Sequence, residues 1–381
     1  MKVKASAQEK QNEEVVPGIF NNLSLNTEKA FKPNIAFETW GTYNIAKGEN
    51  ASETANRFDV SFRRLRLGAS GNPYPWLNYT FYFYMDRQGE DDYAFTKGSY
   101  GGIGIWNAFI TAKLFKDSDL LNLHAGYFWA AVSREYNTSP WAVSSYDKTQ
   151  TAWYLRNFVT GKGNGIESGI ALGGLKNFEG FGMIYRIGTY EPQKYISAEK
   201  GSRLFTGRIM FSIGEPEQNN YKYMLSGNQW GKRKGVTFGF GASTQSNGAL
   251  TDTSFWNNSS TFGADILIDY KSLRIDGEYF FLKRTAGYMN NFNGTEFHFR
   301  GSYLINFHKT FVEPSFTYQK YDGDGNKSLY KYIGIDETYD FGVNWYLDKQ
   351  KLKLALHYVL QQGSLSAGLG DYIGVACQIK L

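Results

Sequence analysis

The residues best placed to do chemistry in this chain of 381 residues are its arginines and lysines, which recur where apolar and polar positions alternate. Arg64 and Arg66 stand two apart in FRRLRL, between Leu65 and Leu67. Side chains of an extended strand alternate between its faces, so this spacing aims both guanidinium groups the same way. Lys113, Arg208 and Arg300 occupy polar positions of similar runs, while Arg134, Lys148, Arg156 and Lys162 fall in one polar stretch between two such runs. Fixed cations around a water-filled passage attract anions. The same groups also suit a plainer part. Arg64 and Arg66 could tie neighbouring carboxylates, and the other four could be solvated or paired with Glu135 and Asp147.

The acidic residues are unevenly spread. Polar positions of the first half offer Arg64, Arg66, Lys113 and Arg208 against Glu38. Those of the second half offer Asp265, Asp269, Asp276, Glu278 and Glu313 against Arg274, Arg300 and Lys353. One basic wall facing one acidic wall would set a transverse field and only bias permeation, giving a weak preference for anions without strict selectivity.

Elements that put these groups on one face must be strands. Sixteen alternating segments can be counted, from Asn34–Asn44 to Ile373–Leu381. In the clearest, Leu77, Tyr79, Phe81, Phe83 and Met85 alternate with Asn78, Thr80, Tyr82 and Tyr84. In Phe58–Ser70 the phase slips, because Phe58, Val60 and Phe62 fall on the parity of Arg64 and Arg66, and a β-bulge is the expected remedy. The longest apolar run, Tyr127–Val132, is far too short for a transmembrane helix. Sixteen amphipathic strands with no helix leave only lipid to cover so much apolar surface, and a closed barrel is then the way to satisfy the backbone. The expected fold is therefore all-β, a 16-stranded antiparallel transmembrane β-barrel in the bacterial outer membrane, with lipid as its outer partner. Sixteen strands leave a water-filled bore rather than a packed interior.

The stretch from Ala130 to Glu167 exceeds normal connection lengths and shows no sustained helical or strand period. As the third outer loop it is expected to fold inward, so that residues 130–167 form the constriction of a barrel spanning 34–381. Residues 1–33 read as a signal remnant and periplasmic lead-in; Ala5-Ser6-Ala7 is an A-x-A cleavage pattern that would start the mature chain at Gln8.

Other chemistries find little support. Net charge is only +5, too mild to suggest nucleic acid as a partner. The lone Cys377 excludes an internal disulfide framework and reads as a small lipid-facing residue. His124, His298, His308 and His357 are scattered over separate segments without ligand spacing, so neither a metal site nor a cofactor is expected, and the four read as lumen or turn residues. DGDGN at 322–326 lacks the later glutamate of a calcium loop and reads as an external hairpin turn. No compact Ser-His-Asp arrangement appears, so an enzyme is not expected; an outer-membrane hydrolase and a plugged docking barrel of an envelope complex are the rival readings.

FRRLRL at Phe62–Leu67, QWGKRKGVTFGFGASTQ at Gln229–Gln245 and FGVNWYLDKQKLKLALHY at Phe341–Tyr358 resemble the phosphate-selective porin O and P family. The resemblance implies a sixteen-stranded, trimeric outer-membrane channel for small anions or other small polar solutes, with arginines along its wall and basic residues at its constriction. Only Arg64 and Arg66 carry over position by position.

Overall fold

Alternation of apolar and polar side chains along nearly every strand produces one closed antiparallel sheet. The computed structural model of the protein describes residues 29–45, 58–86, 103–115, 118–191, 202–225, 227–228, 230–251, 254–287, 290–365 and 370–381. The cleavage pattern at Ala5-Ser6-Ala7 and most of the proposed lead-in lie outside these residues.

The strands are β1 (Lys32–Ile45), β2 (Phe58–Tyr74), β3 (Leu77–Tyr84), β4 (Gly104–Phe115), β5 (Ser118–Trp129), β6 (Ile166–Phe178), β7 (Phe181–Glu191) and β8 (Leu204–Gly214). The second half comprises β9 (Lys234–Thr251), β10 (Ser254–Tyr270), β11 (Leu273–Thr285), β12 (Phe292–Tyr303), β13 (Thr310–Gly325), β14 (Gly334–Asp348), β15 (Leu352–Gln362) and β16 (Asp371–Lys380). Beyond Leu304, β12 resumes for Ile305–Phe307 against the start of β13, so sixteen strands cross. Each pairs with the next, and β1 closes the ring on β16 from Ala36↔Lys380 to Ile45↔Asp371. Among the described strands no edge is left unpaired, as a lipid environment demands.

The outer face carries the apolar set. Phe262, Ile187, Phe205 and Leu356 are exposed, while Asp265, Arg208 and His357 on alternate parity are buried. Cys377 is half-buried on the outward parity of β16, between Val375 and Ile379. The expected bulge in β2 falls at Arg63: Arg64 pairs with Glu38 and Phe62 with Thr39, leaving Arg63 without an opposite residue. The extra residue re-phases the strand, so Phe58, Val60, Phe62 and Leu67 all face out while Arg63, Arg64 and Arg66 face in.

Some strands outrun the bilayer, and one expected turn is corrected. Crossing needs only about ten residues; β9 runs 18 and β10 runs 17, because the polar GASTQSNGALT and SFWNNSS continue their ladder beyond the apolar band. DGDGN is not simply a turn, since Asp322–Gly325 still pair with Phe292–Thr295 and the turn follows them.

The chain was expected to hold no helix, and here too the structure differs. Residues 130–165 contain α1 (Arg134–Asn137), a 3-10 turn at Pro140–Ala142 and α2 (Gln150–Thr160). Thr149 caps α2 by accepting from the Ala152 amide, and Gly161 ends it in the left-handed region at φ 76°. Tyr154, Leu155, Phe158 and Val159 recur at helical spacing and pack on inward-facing Phe280, Leu282, Phe292, Tyr321 and Trp256. Polar residues on both sides of this apolar stripe hid the period. The interior is accordingly not wet throughout, because part of the bore is filled by this apolar packing.

Candidate functional site: a basic chamber beside the inserted loop

The segment between β5 and β6 crosses the bore and bonds to the far wall. Ser133 Oγ donates to Glu278 Oε1 at 2.9 Å and the Glu135 amide to Glu278 Oε2 at 2.9 Å. Further on, the Tyr146 amide donates to Asp340 at 2.7 Å, and Asn344 and Ser315 donate to the Ser144 carbonyl at 2.6 and 2.8 Å. A second insertion, residues 215–233, enters from the opposite end, that of the short turns and chain termini. It meets the first where the Leu225 amide donates to the Asn137 carbonyl at 3.2 Å and Arg134 pairs with Glu217 at 2.8 Å. Short turns mark the periplasmic end of such barrels, so the first insertion descends from outside and the second rises from inside.

Space survives on the β1–β5 side. An outer chamber of about 210 Å³ is lined by Arg63, Arg64, Arg66, Lys148, Arg156 and Lys162 against two acids, Asp86 and Asp147. A lower chamber of about 580 Å³ is lined by neutral groups such as Asn34, Ser70, Asn78, Thr80 and Asn107, with Lys222 and Lys380. Both are lined by Arg66, Trp106, Trp129 and Pro140, where they meet. At this neck the Arg66 guanidinium lies 4.0 Å from the centroid of Trp106, and Trp106 meets Trp129 edge-on at 5.8 Å.

Every sequence-predicted cation has a partner. Arg64 bridges Glu38 and Asp147, Arg63 donates twice to Asp147 at 2.8 and 3.0 Å, and Arg66 grips Asp86 with both terminal nitrogens. Lys148 Nζ donates to the carbonyls of Glu135, Tyr136 and Thr138, and Arg156 Nη2 to those of Tyr136 at 3.0 Å and Glu135 at 3.3 Å. Lys162 pairs with Glu167 at 3.0 Å. Arg64, Arg66, Lys148, Arg156 and Lys162 therefore share the chamber, and Lys148 and Arg156 spend their donors on neutral carbonyls. The remaining four stand elsewhere. Lys113 pairs with Asp119 at 2.8 Å near the β4–β5 turn. Arg134 and Arg208 share Asp265, and Arg300 spans Glu135 at 2.8 Å and Asp276 at 2.7 Å.

The expected acidic wall does not face the passage. Asp265, Asp276 and Glu278 are spent on the inserted loop and neighbouring arginines, beneath which they are buried. Burial pushes the Glu135 carboxyl up, but the Arg300 guanidinium and Lys148 outweigh it and hold the group at about 2. Burial, with Arg156 beside it, pushes the Lys148 ammonium well below its ordinary value, against the pull of Glu135 and Glu278.

Sequence reasoning missed Arg63, Asp86, Trp106 and Trp129. The doublet Arg63-Arg64 held a signal, since a regular strand cannot aim both inward and the phase slip marked where it would not. It also missed a convergence around His298. Glu278 and Glu296 offer ligand atoms that, with one from His298, all lie within 4.8 Å of one another, although 18 and 20 positions separate Glu278 from its partners in the sequence. Cross-strand pairing of β11 with β12 makes them neighbours, which no local spacing reveals.

Comparison with known proteins agrees with this architecture. Residues 34–177 match the family model described as phosphate-selective porin O and P. The fold is similar to an anion-selective porin from Comamonas acidovorans, at 13% identity and TM-score 0.60 over 93% of this chain and 99% of that one. It is also similar to OprB of Pseudomonas putida, at 10% identity and TM-score 0.61 over 93% and 95%. A trimer form of OmpT from Vibrio cholerae is similar at 10% identity and TM-score 0.56 over 92% and 99%. No curated protein matches the sequence. The chain is thus a sixteen-stranded β-barrel of the bacterial outer membrane with porin architecture, carrying over residues 34–177 the pattern of the phosphate-selective porin O and P family.

Proposed function

We propose that the protein is a passive channel for small hydrophilic solutes that prefers anions such as phosphate, and that it is not an enzyme. The observation that carries this is the charge of the outer chamber, which among the described residues is six cationic side chains against two carboxylates in about 210 Å³. Residues 130–167 act as the constriction of a barrel spanning 34–381, with 1–33 as signal remnant and periplasmic lead-in, and the assembly is a homotrimer. A similarity to an anion-selective porin supports the anion preference, and a similarity to a barrel with a trimer form supports the homotrimer.

Ionic selectivity follows from the position of the charges. An anion entering from outside meets Lys148 and Arg156 first bonded only to carbonyls, and can replace a carbonyl with a full charge. It then passes Arg66 between two tryptophans into a chamber of amides and hydroxyls that makes no comparable demand. Zero-current potentials of the purified protein in planar bilayers, across a KCl gradient, test the proposal. Chloride preference is expected; cation preference defeats it.

A plugged docking barrel is the second reading, favoured by the two insertions meeting inside the bore. The same bilayers distinguish it, since a plugged barrel gives no conductance steps.

A further inference from the structure

Away from the chamber, on the opposite wall, six inward-facing residues form a grid across β11 and β12: Asp276↔Arg300, Glu278↔His298 and Phe280↔Glu296. Arg300 pairs with Asp276 and with Glu135 of the inserted loop. Among the described residues, neither Glu278 nor Glu296 forms an ion pair with an arginine or lysine. Glu296 is 0% exposed, and among the described residues the Thr151 hydroxyl is the one group that hydrogen-bonds toward its carboxylate. His298 is likewise 0% exposed, and its Nδ1 has no hydrogen-bond partner. Two carboxylates buried this close cost several kcal/mol unless a proton or a cation joins them, and His298 is the basic group that stands between them.

His298 is oriented to hold a cation there. Its Nε2 lies 3.2 Å from Asp276 Oδ1, and the tautomer that donates to this carboxylate carries its lone pair on Nδ1. That nitrogen stands 3.8 Å from Glu278 Oε1 and within 4.8 Å of a Glu296 oxygen. A carboxylate behind the imidazole, fixing its tautomer, is the usual outer partner of a metal-bound histidine. Glu278 is oriented in the same way, by the Ser133 hydroxyl on one oxygen and the Glu135 amide on the other. The Thr151 hydroxyl of α2, buried beside Glu296 and hydrogen-bonding toward its carboxylate, is a further polar atom of the loop that packs on this wall.

We infer that Glu278, Glu296 and His298 bind one divalent transition-metal ion, zinc foremost, at the seam between the inserted loop and the barrel wall. One imidazole and two carboxylates form a mixed nitrogen–oxygen donor set, which suits zinc with a fourth position for water or a hydroxyl. Side-chain rotation brings three atoms already this close to the roughly 2.0–2.2 Å of zinc–ligand bonds. The ion neutralises the surplus carboxylates and, through Glu278, anchors Ser133 and Glu135. It thereby fixes the loop that bounds the chamber. The inference is independent of which ions the channel prefers.

Untagged protein from outer membranes, in detergent, is stripped with chelator and then titrated with zinc, manganese or cobalt before metal analysis. Wild type should take up about one zinc per chain, gain thermal stability from it, and give with cobalt the strong visible absorption of a four-coordinate ion. Glu296→Gln and His298→Gln should lose at least nine-tenths of the uptake and all of the stabilisation. Asp276→Asn should bind roughly 10–100-fold more weakly. Folding of each variant is checked by its heat-modifiable mobility on gels. Absence of uptake by folded wild type would overturn the site, leaving the two carboxylates to share a proton. Uptake that persists undiminished in both folded Gln variants would overturn it equally.

Discussion

Replacing Arg66 by glutamine tests the channel where its two chambers share a lining. Arg66 forms part of the lining of both chambers, stacks on Trp106 at 4.0 Å and holds Asp86, which is buried at 3% exposure. As found, the neck is a neutral ion pair with its cation on the passage. Arg66→Gln leaves the Asp86 charge alone there, a change of one unit. A unit charge at about 4 Å is worth about 1 kcal/mol in bulk water and about 4 kcal/mol at the effective dielectric of a protein surface. A wet neck lies toward the lower figure. The barrier to a monovalent anion should therefore rise by about 1–2 kcal/mol, which is a factor of about 5–30 in permeation. Single-channel conductance and reversal potential in bilayers read this directly, and the wild-type chloride preference should fall to parity or invert. Asp86→Asn should do the reverse, strengthening anion preference. If both variants keep wild-type reversal potentials, ions do not pass between Arg66, Trp106 and Trp129, and the assigned path is wrong.

Four further outcomes follow from the geometry. Phe81→Arg places a charge among lipid-facing aromatics, at a cost of about 2–4 kcal/mol near the midplane, and should block assembly; Tyr82→Arg, in the lower chamber, should assemble normally by heat-modifiable mobility. Arg300→Gln leaves Glu135 and Asp276 buried without their main partner and should lower stability by about 3–5 kcal/mol, read as an earlier heat-modification midpoint. Because the folded Glu135 value of about 2 lies below its ordinary 4.5, that carboxylate's contribution is complete above 4.5 and lost as pH falls toward 2; channels should keep steady conductance from pH 7 to 5 and become noisy only in stronger acid. Lys148, depressed from its ordinary value, should lose its charge earlier than a solvated lysine as pH rises, so anion preference should decline toward alkaline pH in wild type and not in Lys148→Arg.

The barrel was legible because its code is local. A two-residue rhythm separates Phe262, Ala264 and Ile266 from Asp265, and sixteen repeats of that rhythm allow little but closure. Even the Arg63 bulge left a trace, as a slip of phase. The contents of the bore were not legible, because they depend on which residues meet across it. Arg134 finds Glu217 and Asp265, 83 and 131 positions away. Nothing in its neighbourhood announces either. The helix at Gln150–Thr160 escaped for a related reason. Its apolar stripe is answered by Phe280 and Phe292 on the barrel wall, and its other residues by polar groups such as Gln319, so its composition reads as that of a loop.

Closure of β1 on β16 around two insertions has a consequence for biogenesis. The descending loop and the rising one lock to each other through Arg134–Glu217 and Leu225–Asn137, inside a ring sealed by the hydrogen-bonded seam from Ala36–Lys380 to Ile45–Asp371. A seam that zips last admits both insertions from the side, so that the last strand to arrive seals a vessel packed beforehand.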